Sequence, residues 1–271
     1  MNKVRLDVLL MNRGLVESRS LAQRLVMAGE VRVNGQVASK PSMMVDEQAE
    51  VIVESGPPFV SRGGEKLEGA VQAFKLDFAG KVCADVGAST GGFTDCMLQH
   101  GAAKVYAIDV GYGILHWKLR QDQRVVLMER TNARHVAGLP EPVQMVTVDA
   151  SFISLRILLP VLVNWFAAEG GEVVALIKPQ FEAGREEAAH GEGVIQDPAV
   201  HRHVLEEILG FAAEMGLVLR GLICSPLKGP KGNIEFLGYW NVRGSQLGLD
   251  WRETVDQMMV ELASRSISEG E

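Results

Sequence analysis

The sequence predicts an α/β fold, a mostly parallel sheet with helices on both faces, preceded by a small α+β unit. Three observations predict it. From Lys81 a strand, a glycine turn, a helix, a second strand and an acid follow in order. Two later apolar runs, Val143 to Val148 and Glu172 to Ile177, read as strands that end in polar residues. The first sixty residues read differently, as helix, helix, hairpin and strand.

Val4 to Gly29 reads as two short helices, because Leu6, Leu9, Leu10 and then Leu21, Leu25, Val26 recur at helical spacing. Gly14 separates them, and Ser18 is the candidate N-cap of the second, with Ala22 and Leu25 facing inward. Val31 to Val37 carries Asn34-Gly35, a hairpin turn whose two residues must both accept positive φ. A last strand falls near Val51-Ile52-Val53. Ser55-Gly56-Pro57-Pro58 continues neither a helix nor a central strand. The expected division is therefore residues 1–54, a linker 55–60, a larger domain 61–244, and a C-terminal helix and tail 245–271, the helix marked by Val255, Met258, Met259 and Leu262.

The net charge of −7 hides a local balance of +4 over residues 3–40, where seven Lys or Arg face three Asp or Glu. Arg5, Arg13, Arg19, Arg24, Arg32 and Lys40 lie between the apolar positions. Arginine forks match phosphate oxygens. From charge alone two readings stand, a nucleic-acid face and a solvated helix face. Cys83, Cys96 and Cys224 form no CxxC pair, so no disulfide framework or zinc site is expected, and a reducing cytoplasmic setting fits. Met1 to Leu10 carries Lys3, Arg5 and Asp7, which rules out an apolar signal core there. The apolar stretch Ile157 to Ala168 falls short of the roughly 20 residues of a membrane helix and reads as a buried helix.

In the larger domain, Lys81 to Val86 is the first strand and Phe93 to Gln99 the helix after the turn. Lys104 to Ile108, ending at Asp109, is the second strand. Glycines in such a turn let backbone approach a ligand at a helix N-terminus, and an acid closing the second strand can hold ribose hydroxyls. A dinucleotide fingerprint would place glycine at 87, 89 and 92, but Ser89 fills the middle position. Asp85 would repel a pyrophosphate yet suits the amino-acid end of S-adenosylmethionine (SAM), so SAM is favoured over NAD. The alternative is a glycine turn that binds nothing.

Ligands in open α/β sheets bind beyond the carboxyl ends of strands, so Asp149 and Lys178 are expected to face one crevice. Glu235 lies between apolar neighbours in a late strand, where a charge needs a partner, and Lys178 is the candidate. Glu182 to Asp197, rich in Gly and charge, reads as a loop over the crevice. His201 and His203, two apart on a helix, point apart, and no metal is expected.

Two resemblances follow from these residues. Arg5-Leu6-Asp7, Gly14, Ser18-Arg19-Ser20, Ala22, Gly29, Val31 and Val33-Asn34-Gly35 resemble the S-four RNA-binding module over about residues 3–53. The chain from about residue 3 to 243 resembles the TlyA family of haemolysin-A-like ribosomal RNA methyltransferases, whose catalytic half is Rossmann-like and similar to FtsJ-type ribose methyltransferases. The carrying motifs are Ser61 to Leu67, Asp85 to Thr94, Val148 to Phe152, Leu176 to Glu182 and Gly232 to Glu235. The resemblance implies transfer of a methyl from SAM to a ribose 2′-hydroxyl, of cytidine in ribosomal RNA. It implies a Lys66, Asp149, Lys178, Glu235 constellation, with Lys178 as the base or the hydroxyl-orienting group.

The expected cofactor-binding residues are Asp85, Gly87, Ser89, Thr90, Gly91, Gly92, Phe93, Asp109, Val110 and Asp149. Arg62 joins the arginines above as an RNA contact, or else only starts a helix. Lys66 retains a reading as a helix-surface lysine, and Glu235 one as a structural ion-pair member. Lys228 and Lys231 are phosphate contacts or a plain turn. The expected partners are ribosomal RNA or ribosomal subunits, with no membrane and no metal, bound by a monomer. A non-catalytic ribosome-assembly factor and a membrane-active haemolysin are the competing readings.

Overall fold

The computed structural model describes residues 3–16, 18–53, 57–184, 193–244 and 247–268. The chain divides into two compact units, Met1–Pro58 and Phe59–Glu271. Among the described residues no helix is long and apolar enough to cross a membrane.

The first unit runs β1 (Lys3–Arg5), α1 (Leu6–Asn12), α2 (Arg19–Met27), β2 (Val31–Val33), β3 (Gln36–Val37), β4 (Met44–Asp46) and β5 (Val51–Val53). β1 pairs with β4, and β2 lies between β3 and β5. Gly14, at φ 68°, turns the chain after α1, and the Leu21 N–H donates to Ser18 Oγ (3.2 Å), capping α2. Asn34 and Gly35 both adopt positive φ, 51° and 79°, as the hairpin demands. Leu6, Leu9, Leu10, Ala22 and Val26 of the two helices bury against Val31, Val33 and Val45 of the strands.

The second unit contains α3 (Gly63–Phe74), β6 (Val82–Val86), α4 (Gly92–Gln99), β7 (Lys104–Ile108), α5 (Trp117–Arg120), β8 (Val125–Met128), β9 (Met145–Val148), α6 (Leu155–Leu162), β10 (Gly171–Ile177), α7 (Pro179–Glu182), α8 (Pro198–Glu214), β11 (Val218–Cys224), β12 (Phe236–Val242) and α9 (Trp251–Ser268). Its seven strands lie in the order β11-β12-β10-β9-β6-β7-β8, with β12 antiparallel to both neighbours and the other pairs parallel.

Strand side chains alternate between two cores. Cys83, Val105, Met145 and Val174 pack with α3, α4 and α5. Ala84, Tyr106, Val146 and Val173 pack with α6, α8 and α9. The sheet is thus covered on both faces, and the carboxyl ends of β6, β7, β9 and β10 form one edge.

Several expectations shift. The stretch from Ile157 to Ala168 is not a helix buried all round. α6 ends at Leu162, one 3-10 turn follows to Trp165, and Ile157 is half exposed while Leu155, Leu158, Leu159 and Leu162 turn inward. α9 is part of the second unit, since its Val255 and Met258 join the core of α8. Glu235 precedes β12 instead of lying within it. Of the expected loop Glu182 to Asp197, residues 185–192 lie outside the described residues, as do linker residues 55–56 and tail residues 245–246 and 269–271.

Candidate active site

The glycine turn fits its surroundings with little clearance. Gly87, at φ 83°, faces the next strand end so closely that a Cβ would lie 2.6 Å from the Asp149 carbonyl oxygen. Gly91, at φ 100°, faces Leu119, which a Cβ would meet at 2.2 Å. A Cβ on Gly92 would lie 2.5 Å from Ser61 Oγ and 2.6 Å from the Gly64 nitrogen, so α3 and α4 start in contact. Ser89 takes a left-handed φ of 50°, which aims its N–H at Asp109 Oδ2 (2.8 Å). The Gly111 N–H donates to Asp109 Oδ1 (2.7 Å).

Asp85 is placed differently from expectation. Two positions after Cys83, it shares that residue's face of the sheet, has no exposed surface, and lines neither of the two clefts at this edge. The Thr94 hydroxyl donates to its Oδ2 (2.6 Å) and the Thr147 hydroxyl to its Oδ1 (3.3 Å). Burial pushes its carboxyl up to about 7, against the Thr94 hydrogen bond. Asp85 braces the turn from beneath.

Two clefts open beyond the strand ends. The larger, about 620 Å³, is walled by Gly87, Ser89, Asp109, Val110, Asn132 and Phe152 among others. The smaller, about 420 Å³, is walled by Arg62, Lys66, Thr90, Gly92, Phe93 and Lys228 among others. Gly87, Ser89 and Asp149 line both. Gly91 lines neither, its place being set by Leu119.

At the junction stand two lysine–carboxylate pairs. Lys178 Nζ lies 2.5 Å from Asp149 Oδ1 and donates to Ser151 Oγ at 3.1 Å. Lys66 Nζ donates to Glu235 Oε2 at 2.5 Å. The expected partner of Glu235 was Lys178; the structure gives it Lys66, because α3 carries Lys66 inward to a buried position instead of onto its surface. The Gln180 amide donates to Glu235 Oε1 (2.8 Å). Lys66 lines the smaller cleft, whereas Lys178 lines neither and reaches them through Asp149 and Ser151. The site thus holds two ammonium groups, each balanced by an acid, beside the place where the clefts meet.

Sequence reasoning gave no role to Ser151, Gln180, Gly229 or Phe152. The first two stand inside quoted motifs, beside Asp149 and Lys178. Gly229 stands next to Lys228, and its need is visible only in space. Phe152 is 90% exposed with a φ of 63°, strained for a side chain of its size, and its ring lies 4.7 Å from that of Phe181.

The basic residues of the first unit are mostly engaged locally. The Arg5 guanidinium closes on Asp7 with two bonds (3.0 and 2.9 Å), and Arg19 donates to Asp7 at 2.9 Å. Asp7 is buried, and the Arg5 fork holds its carboxyl far below the usual range. Arg13 donates to the Ala49 and Glu47 carbonyls (2.8 and 2.5 Å). Arg32 reaches the Gly35 carbonyl at 3.4 Å. Arg24 and Lys40 are exposed, as is Arg62 in the second unit.

Away from the clefts, Glu68, Cys96 and His100 bring three ligand-type atoms within 4.8 Å of one another. His100 Nε2 lies 2.6 Å from Glu68 Oε2 there, an ion-pair geometry complete in itself.

A model of the FtsJ-like methyltransferase family matches residues 59–241, and one of the S4 domain matches residues 4–51. YqxC of Bacillus subtilis is 46% identical over 275 residues, 98% of this chain and 96% of its own. A 16S/23S rRNA (cytidine-2′-O)-methyltransferase TlyA of Mycobacterium tuberculosis is 45% identical over 238 residues, 86% of this chain and 88% of its own. A solved structure from Streptococcus thermophilus that carries the hemolysin name superposes with a TM-score of 0.70 at 42% identity, covering 98% of this chain and 99% of that one. The chain belongs to the FtsJ-like methyltransferases and, with an S4 domain ahead of the catalytic one, to the TlyA group among them.

Proposed function

We propose that this protein transfers a methyl group from SAM to the 2′-hydroxyl of a cytidine ribose in ribosomal RNA. The observation that carries the reading is the pair of lysine–carboxylate contacts where two clefts meet at Asp149. The family and the activity for which the TlyA relative is named support it.

The larger cleft fits SAM by its donor set. Gly87 lets the turn pack directly against the Asp149 strand end where it lines the cleft, and Asp109, fixed by two N–H groups, can accept from ribose hydroxyls. Val110 and Ile153 offer apolar walls for a base. Bound there, SAM would supply a methyl group on a cationic sulfur. Asp149 and Ser151 hold Lys178 where the target hydroxyl enters. The attacking ribose oxygen would take the methyl carbon as that carbon's bond to sulfur breaks, the electron pair staying on sulfur. Lys178 would accept the hydroxyl proton only after releasing one of its own to solvent, and would otherwise orient the hydroxyl beside Asp149. Lys66, held by Glu235, adds positive charge beside the developing oxyanion, where preorganised charge is most effective. Arg62 and Lys228 wall the smaller cleft on the side from which a phosphate backbone would approach. The S4 domain grips structured RNA through its exposed basic residues, Arg24 and Lys40 among them.

The test is transfer of a labelled methyl from SAM to ribosomal RNA, with the modified ribose mapped. Lys178→Ala is expected to lose turnover by at least about 100-fold while SAM binding, followed by calorimetry, stays intact. Near-normal turnover in that variant refutes the assignment. RNA binding by the wild type with no methyl transferred would instead support the assembly-factor reading.

A further inference from the structure

We infer that Gln180 and Gly229 form a clamp that fixes the Glu235 carboxylate against Lys66, making both of them positioning residues for methyl transfer. The inference rests on the methyl-transfer reading above and adds two residues to it.

Glu235 has no exposed surface. A buried carboxylate is tolerated only where its charge is paired and its lone pairs are occupied. Lys66 takes Oε2 at 2.5 Å, and the Gln180 amide takes Oε1 at 2.8 Å. The remaining side is closed by Gly229. A Cβ there would lie 2.2 Å from Oε1 and 2.5 Å from the carboxyl carbon. Gly229 does not hold a positive φ, so its backbone would accept alanine. It is glycine because the carboxylate needs the space. The loop cannot easily retreat, since the Gly229 N–H donates to the Asn233 carbonyl (2.8 Å) and the Ser225 N–H to the Glu235 carbonyl (2.8 Å).

Gln180 also ties the two lysine pairs together. It sits in α7, whose Phe181 and Glu182 N–H groups donate to the Lys178 carbonyl (2.9 and 3.2 Å). One side chain thus joins the strand end that carries Lys178 to the one that carries Glu235. The arrangement is a poor choice for stability alone. A carboxylate can only accept, so the amide must turn its NH₂ towards Glu235. That leaves Gln180 Oε1 buried without a hydrogen-bond partner among the described residues. Local rules broken in this way concentrate at functional sites.

The experiment uses the full chain, with steady-state kinetics on ribosomal RNA. Gln180→Met keeps length and volume but removes the donor. Its kcat is expected to fall roughly tenfold to a hundredfold. The KM for RNA and the Kd for SAM should stay unchanged, and Tm should move only modestly, because losing the hydrogen bond to the buried Glu235 carboxylate is partly offset by losing the orphaned oxygen. Gly229→Ala should lower kcat in the same way by displacing the carboxylate from the other side. Wild-type kcat in Gln180→Met overturns the clamp. A fall in kcat matched by a rise in KM overturns it too, since that marks a general structural role. Should Gln180→Met fail to fold, Gly229→Ala decides alone: normal kcat overturns the clamp, and lowered kcat at constant KM supports it. Lys66→Ala and Glu235→Gln run in parallel. If these two retain full activity, the use of the pair in methyl transfer is what has failed. If they are inactive while Gln180→Met is normal, the clamp alone has failed.

Discussion

Asp85 gives the second unit a pH-dependent stability whose size and sign follow from its burial. Its carboxyl has no exposed surface and rises from 3.8 to about 7, driven first by burial and further by the charge of Asp149. The Thr94 and Thr147 hydroxyls pull the other way. A carboxyl whose folded pKa exceeds its unfolded pKa binds its proton more tightly in the native state. Its contribution is therefore complete below the unfolded value and is lost as pH rises through the folded one. At about 1.4 kcal/mol per unit, the shift amounts to roughly 4 kcal/mol in full, of which roughly 2–3 kcal/mol is lost between about pH 5 and pH 8.

Asp85→Asn removes the titration, because the amide is neutral throughout. The assay is denaturant unfolding followed by tryptophan fluorescence. All four tryptophans, Trp117, Trp165, Trp240 and Trp251, lie in the second unit, so the signal reports that unit alone. Wild type should lose about 2–3 kcal/mol relative to Asp85→Asn as pH rises across that window. A stability difference that stays constant from about pH 5 to pH 8 refutes the account of a protonated acid beneath the turn.

Two further substitutions probe the fold at its functional edges. Asp7→Asn weakens the contacts that hold Arg5, Arg19 and Gln23, at a cost of about 1–3 kcal/mol to the first unit, since both arginines can turn partly to water. The Arg5-held carboxyl lies below its usual range, so its contribution is present at neutral pH and lost as pH falls below about 4; amide hydrogen exchange over residues 3–53 should show that acid loosening in wild type and not in the variant. Gly87→Ala forces a side chain into a left-handed φ and to 2.6 Å from the Asp149 carbonyl, so SAM affinity measured by calorimetry should drop at least about tenfold, and an unchanged Kd would contradict the close approach.

Much of the fold was legible because it is written locally. Ser18, Asn34-Gly35 and the glycine turn each act within a few residues of themselves, and each adopts the conformation its chemistry demands. The strands β1, β4, β8 and β11 were not read from the sequence, whereas β2, β5 and β9, as short as the first three, were marked by the Asn-Gly turn or by runs of apolar residues. Partner choice was the harder loss. Asp85 sits at a strand end and suggests a ligand contact, yet two-residue periodicity puts it on the same face as Cys83, turned into the layer of α3 and α4. Arg5 and Arg19 suggest phosphate binding, but Asp7 in the same motif claims their forks first. Lys66 and Glu235 are 169 residues apart, and nothing in the spacing of either motif states that α3 carries one to the other.

What brings the four site residues to one edge is the direction of one strand. β9 and β10 are parallel, so Asp149 and Lys178 arrive at that edge by following the ends of their strands. β12 is antiparallel to β10, with Phe236 opposite Ile177, so it can supply a residue there only by its beginning. Glu235, one position before Phe236, is therefore where an acid must stand to meet a lysine arriving from α3. A register slip of one residue would move Glu235 away from Lys66 and would also turn every side chain of β12 to the opposite helix layer. The burial of Phe236 and Trp240 on one face and Leu237 on the other forbids that slip. The same hydrophobic alternation that fixes the sheet thus fixes the position of the Lys66–Glu235 pair.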